Sequence, residues 1–299
     1  MMPNFLIIGA AKAGTTSLYN YLQQHPEVYM CPLKEPKFFS LEGNPLTFAG
    51  PGDQRANRHT VTRLDEYQAL FAKAHTQKAV GEKSPIYLYD AETPQRIKHY
   101  LPDVKLIVIM RNPIERAYSN YLHMVRDSRE SHSNFLDALE AEEQRIQQNW
   151  AYGWHYRQMG YYATQLTRYY EHFDPAQIQV YLHEDLRNEP QQMLQSLFRF
   201  IGVDPTFMPD MSLQENKTGI PVNAKLQLFL KYEHPLKDLA KPLLPKRYRE
   251  RLRVNVLNRN LRKAPKLDPT VRDALKEEYR SDILHLETLI QRDLRAWLS

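Results

Sequence analysis

Hydrophobic positions follow two alternating patterns along the chain. Short apolar runs rich in β-branched residues predict buried strands at Phe5 to Ile8, Ala79 to Gly81, Leu106 to Met110 and Ile178 to Leu182. Apolar residues three or four positions apart predict helices at Thr15 to Gln24, Thr93 to Tyr100, Ile114 to Asp127, Phe135 to Gln148, Tyr161 to Phe173 and Gln191 to Ile201. This alternation is typical of crossover units, so we predict a three-layer α/β fold in which helices flank a central, mostly parallel sheet.

Two further segments depart from that alternation. The stretch from Gly43 to Arg63 is rich in glycine, proline, asparagine and other polar residues without a period, so we predict a long surface loop of the kind that often serves binding. Helical spacing of apolar residues from about Pro269 to Leu298 predicts a final helix that packs on the core. We expect residues 1–299 to form a single domain.

Composition narrows the class of protein. The chain has 299 residues, of which 42% are hydrophobic, and can bury a sizeable core. Its apolar runs fall far short of the roughly 20 residues that a membrane helix needs, and the N-terminus lacks the features of a cleaved leader. A single cysteine, Cys31, excludes an internal disulfide and a cysteine-based zinc site. We expect a cytoplasmic protein without a transmembrane segment.

The charge of the chain is unevenly distributed. A formal net charge of +5 is too small to indicate a nucleic-acid partner by itself. The excess is concentrated in a basic segment at about 241–266, where ten lysines and arginines are opposed only by Glu250. A solvated surface and a lid or groove that attracts an anionic ligand are both compatible with this segment.

The first candidate site is the loop Gly9-Ala10-Ala11-Lys12-Ala13-Gly14-Thr15-Thr16, which follows a predicted strand and opens a helix. In that setting backbone N–H groups cradle phosphate. The nucleotide triphosphatase pattern G-x-x-x-x-G-K-[ST] has a lysine after the second glycine that reaches the β and γ phosphates. Here Thr15 occupies that place and a lysine stands earlier, at Lys12. This favours a donor with a shorter anionic chain, whose leaving oxygen Lys12 can neutralise.

A second anion site is predicted at the end of another strand. Arg111 follows Met110, and Ser119 lies eight residues further on, in the next predicted helix. Because open α/β sheets bind ligands at the carboxyl ends of their strands, Arg111 and Ser119 are candidates to clamp a second phosphate in the same crevice. Taken alone, an arginine at such a place is more typical of a surface ion pair.

Two segments resemble the cofactor motifs of sulfotransferases that use 3'-phosphoadenosine 5'-phosphosulfate (PAPS): Ala11-Lys12-Ala13-Gly14-Thr15-Thr16-Ser17-Leu18, and Ile107-Val108-Ile109-Met110-Arg111-Asn112-Pro113 with Ser119. The likeness extends to Lys34-Glu35-Pro36-Lys37-Phe38-Phe39 and Glu82-Lys83-Ser84-Pro85, and it points to a bacterial, stand-alone relative of the heparan-sulfate type. The resemblance implies a P-loop-like fold. It also implies that the 5'-phosphosulfate is held by Lys12, Ala13, Gly14, Thr15, Thr16 and Ser17, and the 3'-phosphate by Arg111 and Ser119.

Transfer to a hydroxyl needs a base that takes up the proton. By the resemblance this is Glu35, because the glutamate of a similar Lys-Glu-Pro motif is the base in heparan-type enzymes. Lys34 and Lys37 flank Glu35 and should lower its pKa, which keeps the carboxylate ionised. His123, one helical turn beyond Ser119, is the rival base. A structural carboxylate and a structural histidine are the alternatives.

The remaining candidates rest on less specific signals. Lys37 and Lys83 are candidates to bind the transferring group or the acceptor, although Lys83 fits a structural ion pair equally well. His183 stands where cytosolic sulfotransferases have a tyrosine beside the adenine, and Lys217 falls in a loose match to a further phosphate-binding loop. The spacing of histidines and carboxylates indicates no metal site.

The acceptor is the open part of this prediction. Lys37 and Ser40 stand where heparan-type enzymes carry histidine and aspartate, so we favour a small-molecule or lipid-like alcohol over a carbohydrate. Tryptophans and tyrosines between positions 150 and 156 fit either a floor for such an acceptor or the core. Two functions of other classes stay open: a P-loop kinase, which needs the missing loop lysine, and a nucleic-acid binder that uses the basic segment.

Overall fold

The computed structural model describes residues 1–211, 219–223, 226, 256 and 259–299. The strands in these ranges are β1 (Phe5–Gly9), β2 (Val28–Met30), β3 (Ala79–Lys83), β4 (Lys105–Met110), β5 (Ile178–Leu182), β6 (Ile220–Pro221) and β7 (Leu261–Arg262). The helices are α1 (Thr15–Leu22), α2 (Phe38–Leu41), α3 (Gln54–His59), α4 (Leu64–Ala69), α5 (Thr93–Tyr100), α6 (Pro113–Arg126), α7 (Phe135–Glu140), α8 (Glu142–Gln147), α9 (Tyr162–Tyr170), α10 (His183–Asn188), α11 (Pro190–Ile201) and α12 (Pro269–Ile290).

A parallel sheet with the strand order β2-β3-β1-β4-β5 forms the centre of the fold. Strands β1 and β4 are almost continuous apolar runs, as expected of central strands that are covered on both faces, and every residue of β1 is buried. Helices flank this sheet, which confirms the predicted α/β fold with a parallel sheet. Strands β6 and β7 form a separate antiparallel pair.

The register of the sheet brings the predicted site segments to one edge. Lys83, the last residue of β3, pairs with Ile7 in β1, and Gly9 at the end of β1 pairs with Val108 in β4. Met110 pairs with Leu182, so the residues that follow these two strands, Arg111 and His183, are neighbours. Parallel strands all point the same way, and the loops at their carboxyl ends therefore meet in one place.

Some element boundaries differ from the prediction. Strand β2 was missed, because three residues are too short to show a period and pairing with β3 is what forms it. Strand β3 runs two residues further than predicted, through Glu82 and Lys83, since both charged side chains find polar partners within the fold. The helix predicted from Phe135 to Gln148 is divided at Ala141 into α7 and α8.

The prediction of a surface loop from Gly43 to Arg63 is wrong in part. Residues 54–59 form helix α3, and Asp53 directly before it is completely buried. Asp53 accepts hydrogen bonds from the backbone of Gly50 and Ala151 and from the Trp154 indole. Some of these donors lie about a hundred positions away in the sequence, so local composition carries no sign of the burial.

The last helix is shorter than predicted. Helix α12 ends at Ile290, and Gln291 has a left-handed backbone with φ of 52°. The chain then turns back, because the Glu287 carboxylate accepts the N–H of Leu294, and the 3-10 turn Arg295–Trp297 buries its tryptophan. In the part of the chain that the model describes, no helix has the length and apolar character required to cross a membrane. Most of the basic segment at 241–266 lies outside the described residues.

Candidate functional site

A cavity of about 600 Å³ lies at the carboxyl edge of the sheet. Of the residues proposed from the sequence, those that line it are Lys12, Gly14, Thr15, Thr16, Ser17, Glu35, Lys37, Arg111, Ser119, His123 and His183. They come from segments separated by up to about 170 positions, so the fold brings the two predicted phosphate sites and both candidate bases into one space.

One group of lining residues, which we call the strand-end wall, consists of Lys12, Gly14 to Ser17, Arg111 and His183. Gly14 has φ of 109°, and a Cβ there would meet Leu186 at 3.0 Å, so the close turn into α1 requires glycine. Thr15 opens α1, whose first N–H groups have no partners within the helix, and the residues of this first turn line the cavity. The wall thus offers backbone donors and hydroxyls, the combination that binds anions at helix N-termini.

Lys12 supplies a cation to this wall. Its backbone is left-handed, with φ of 68°, and within the described residues its ammonium forms no hydrogen bond or ion pair. Burial and the nearby Arg126 guanidinium lower the pKa of Lys12 to about 8. A partly desolvated ammonium of this kind interacts strongly with an anion that enters the cavity.

Arg111 and His183 complete the strand-end wall. Arg111 precedes the start of α6, where the Asn112 side chain accepts the N–H of Ile114 and caps the helix. The Arg111 guanidinium lies 3.5 Å from the Glu115 carboxylate. His183 Nδ1 lies 3.0 Å from the carbonyl oxygen of Ala13, which can only accept, so Nδ1 carries the proton and Nε2 is left as an acceptor. Burial and the Arg111 charge lower the pKa of His183, which keeps the ring neutral.

Glu35 also lines the cavity and lies in a strained turn. Both Glu35 and Lys37 have left-handed backbones, with φ of 62° and 60°. Lys83 Nζ donates to Glu35 Oε1 at 2.8 Å, and Lys37 Nζ lies 3.9 Å from Oε2. Burial raises the pKa of Glu35, but the Lys83 and Lys37 ammonium groups outweigh it and hold this pKa below its ordinary value.

The sequence predicted that Lys34 and Lys37 lower the pKa of Glu35, but in the structure Lys83 takes the place of Lys34. Lys34 Nζ lies 5.5 Å from the centre of the Tyr19 ring, whereas Lys83, from a strand 48 positions away, bonds Glu35. Lys83 is almost fully buried and does not line the cavity, so its charge acts through Glu35. Of the two readings that the sequence left open for Lys83, this geometry matches the ion pair.

His123 lines the same cavity from α6, and both of its ring nitrogens have polar neighbours. Arg126 Nη2 lies 2.7 Å from His123 Nδ1, and because a guanidinium can only donate, that nitrogen accepts. Nε2 then carries the proton and lies 3.6 Å from Asp127 Oδ2. In this tautomer only Nδ1 has a lone pair that can take a proton from a substrate, and that lone pair faces Arg126.

A second group of lining residues, which we call the connecting-segment wall, comes mainly from two segments that the sequence analysis connected with binding: the predicted loop at 43–63 and the aromatic cluster at 150–156. It also includes Arg129, which the sequence did not single out. The wall consists of Phe48, Asp53, Ala56, Thr60, Arg129, Ala151, Tyr152 and Gly153. Phe48 and Tyr152 meet edge to face with ring centres 5.6 Å apart. Arg129 donates to the buried Asp53 carboxylate, which neutralises the charge of Arg129, and also to the Pro51 carbonyl. Of the aromatic residues at 150–156, Trp154 and Tyr156 belong to the core, while Tyr152 lines the cavity.

Two other predicted residues are not among the described residues that line the cavity. Ala13 is the buried member of the phosphate loop, and its carbonyl accepts the ring N–H of His183. Lys217 lies outside the described residues. Within the described ranges, no group of three or more histidine, cysteine or carboxylate side chains could hold a metal ion.

Comparison with known proteins assigns the class. Residues 3–207, more than half of the chain, match the model described as the sulfotransferase family. A solved sulfotransferase structure from Alicyclobacillus acidocaldarius has a TM-score of 0.80 and 35% identity, with 100% of both chains covered. The chain belongs to the sulfotransferase family, whose enzymes transfer sulfuryl groups.

Curated relatives are much longer proteins. The human bifunctional heparan sulfate N-deacetylase/N-sulfotransferase 3 is 29% identical over 211 residues, which are 69% of this chain and 23% of that protein. The membrane-associated sulfotransferase kil1 of Dictyostelium discoideum is 33% identical over 120 residues, which are 40% of this chain and 22% of that protein. The chain thus matches less than a quarter of the length of these two relatives.

Proposed function

We propose that this sulfotransferase moves the sulfuryl group of PAPS to the hydroxyl of a neutral small-molecule or lipid-like alcohol, with Glu35 as the base. The observation that carries the proposal is the meeting of Lys12, Arg111 and Glu35 in one cavity. The cavity thus combines a phosphate loop without the triphosphatase lysine, a second anion site and an ionised carboxylate.

The donor fits the strand-end wall. The backbone and hydroxyls of Gly14 to Ser17 would bind the 5'-phosphosulfate, and Arg111 with Ser119 the 3'-phosphate. His183 Nε2, left as an acceptor by the bond to Ala13, can receive the amino group of adenine. PAPS would thus occupy two separate anion sites, whereas ATP has no 3'-phosphate to occupy the second one.

In the reaction, the acceptor oxygen forms a bond to sulfur while the bond from sulfur to the 5'-phosphate oxygen breaks. Glu35 takes the proton of the acceptor hydroxyl, and its pairing with Lys83 and Lys37 keeps it ionised and ready. Lys12 neutralises the charge that develops on the leaving phosphate oxygen. His123 is not our choice as base, because the lone pair of its Nδ1 already faces the Arg126 guanidinium.

The connecting-segment wall supports a neutral acceptor. Phe48, Ala56 and Tyr152 offer apolar surface, and Arg129 is neutralised by Asp53. A wall of this character favours an uncharged alcohol over a polyanionic glycan. A carbohydrate is the second candidate, because the human relative carries heparan sulfate in its name.

Donor consumption with a panel of acceptors tests this proposal. PAPS is incubated with long-chain alkanols, sterols, phenols and a glucosamine-containing oligosaccharide, and its conversion to 3'-phosphoadenosine 5'-phosphate (PAP) is followed. Glu35→Gln should lower turnover by about 10²- to 10⁴-fold, the usual contribution of a general base, while PAP affinity changes little. Glu66→Gln, an exposed carboxylate of α4, is the control. Near-normal turnover in Glu35→Gln would remove Glu35 from this role, and a large loss in His123→Ala alone would assign the role to His123.

A further inference from the structure

A buried carboxylate, Glu82, lies beneath the turn that carries Glu35, and the proposed chemistry does not use it. Glu82 is fully buried on β3, directly before Lys83. Its Oε1 accepts hydrogen bonds from the hydroxyls of Tyr87 at 2.6 Å and Tyr67 at 3.3 Å, and its Oε2 accepts one from Ser84 at 2.8 Å. Burying a carboxylate is costly, so a site that keeps one needs these donors.

The carboxylate determines which way two of these hydroxyls point. An ionised carboxylate only accepts, so each hydroxyl gives its proton to Glu82 and keeps its lone pairs for another donor. Ser84 Oγ accepts the backbone N–H of Lys37 at 3.0 Å, and Tyr87 Oη accepts that of Phe39 at 3.4 Å. Two relays therefore run to a single carboxylate, one from the backbone of Lys37 and one from that of Phe39.

The backbone at the end of these relays is strained. Glu35 and Lys37 are both left-handed, and for residues other than glycine such a conformation is unfavourable and persists only where the surroundings hold it. Ser84 holds the turn at Lys37, Tyr87 holds it at Phe39, and Val61 donates its N–H to the Pro36 carbonyl at 3.0 Å.

We propose that Glu82 is a positioning residue that, through Ser84 and Tyr87, fixes the turn carrying Glu35 against Lys83 and the cavity. Strand β3 then supports both members of the Glu35–Lys83 pair, because Lys83 follows Glu82 on the same strand. The expected effect on turnover rests on the proposed role of Glu35 as base, whereas the expected effect on the conformation of the turn does not.

Tyr67 provides a matched control within the same network. Its hydroxyl donates to the same Oε1 atom as that of Tyr87, and both rings are buried. In the described part of the chain, Tyr67 receives no hydrogen bond from the backbone of residues 35–39. Tyr67→Phe therefore removes a donor to Glu82 without cutting a relay, whereas Ser84→Ala and Tyr87→Phe each cut one.

The test compares these three variants, with Glu82→Gln, in the full chain at pH 8, above the pKa of about 7 to which burial raises Glu82. Amide hydrogen exchange of residues 35–41 should become at least tenfold faster in Ser84→Ala, Tyr87→Phe and Glu82→Gln, and change less than twofold in Tyr67→Phe. Unchanged exchange in the first three variants, or an equal increase in all four, would overturn the proposal.

Kinetics separate this inference from the proposed function. With PAPS and the most active panel acceptor, kcat should fall at least tenfold in the relay variants with little change in the acceptor KM, and Tyr67→Phe should stay within twofold. If the relay variants exchange fast while Glu35→Gln turns over normally, the positioning of the turn is upheld and Glu35 is removed as the base. If the relay variants exchange as slowly as the wild type while Glu35→Gln is inactive, only the positioning role is overturned.

Discussion

The two walls of the cavity differ in what holds them. The strand-end wall follows directly from the register of parallel strands, because Lys83, Gly9, Arg111 and His183 all lie at or beside paired strand ends. The connecting-segment wall is held by side-chain hydrogen bonds between distant segments: Asp53 receives backbone, indole and guanidinium donors, and Asn120 donates to the Gly153 carbonyl. One wall is thus built by backbone pairing and the other by side-chain contacts, among them those of a buried carboxylate.

Their electrostatic character differs as well. On the strand-end wall, Lys12 has no ion-pair partner within the described residues, and Arg111 is 3.5 Å from a half-exposed carboxylate. On the connecting-segment wall, Arg129 is neutralised by Asp53, and Phe48 and Tyr152 are aromatic. Under our proposal this contrast separates an anionic donor from a neutral acceptor. Changes in one wall should therefore leave the ligand of the other largely unaffected.

The largest expected effect is on the donor side. Lys12→Met should lower turnover by about 10²- to 10³-fold, the range measured when one preorganised donor to a developing anion is removed. PAP affinity should fall less, since the charge on the leaving oxygen develops mainly during transfer. Calorimetry and steady-state kinetics measure the two effects, with the exposed Lys73→Met as control. Equal turnover in Lys12→Met and Lys73→Met would contradict the role of Lys12.

A change in the connecting-segment wall should affect PAP binding less but should clearly lower the stability of the protein. Asp53→Asn leaves Arg129 without its counter-charge and should cost about 3 kcal/mol in the free energy of unfolding, at the lower end for a broken buried pair. PAP affinity of the folded variant should stay within twofold. Urea unfolding and calorimetry provide both values, and Asp65→Asn, in an exposed ion pair, should be nearly neutral. A loss of PAP affinity as large as that in Lys12→Met would show that the walls are not independent.

The smallest effect is a pH dependence of donor binding. The pKa of Lys12 is about 8, and the protonated form is the one that attracts an anion, so PAP affinity should be highest below pH 8 and fall above it. A loss of up to about tenfold between pH 7 and pH 9 corresponds to 1.4 kcal/mol. Calorimetry in buffers of different ionisation enthalpy should detect proton uptake near pH 8 in the wild type and much less in Lys12→Met. Equal uptake by both proteins would assign the titration to another group.

The same contrast explains what could be predicted from the sequence. The loop from Gly9 to Thr16 and the strand before Arg111 are local patterns, so their place at the sheet edge followed from strand and helix periodicity. The burial of Asp53 and the pairing of Lys83 with Glu35 depend on partners 48 or more positions away, which no local period reveals. Glu82 lies just beyond the strand predicted at Ala79 to Gly81, and its burial is explained by three hydroxyl donors that the fold places around it.

Ligand selectivity tests the central claim most directly. The melting temperature of the wild-type chain is measured with PAP, ATP and AMP at equal concentrations, since a ligand that binds only the folded state raises this temperature. The account predicts that PAP stabilises the protein more than ATP or AMP does, and that Lys12→Met and Arg111→Ala reduce this shift. Stabilisation by ATP but not by PAP would contradict it and would favour the kinase alternative.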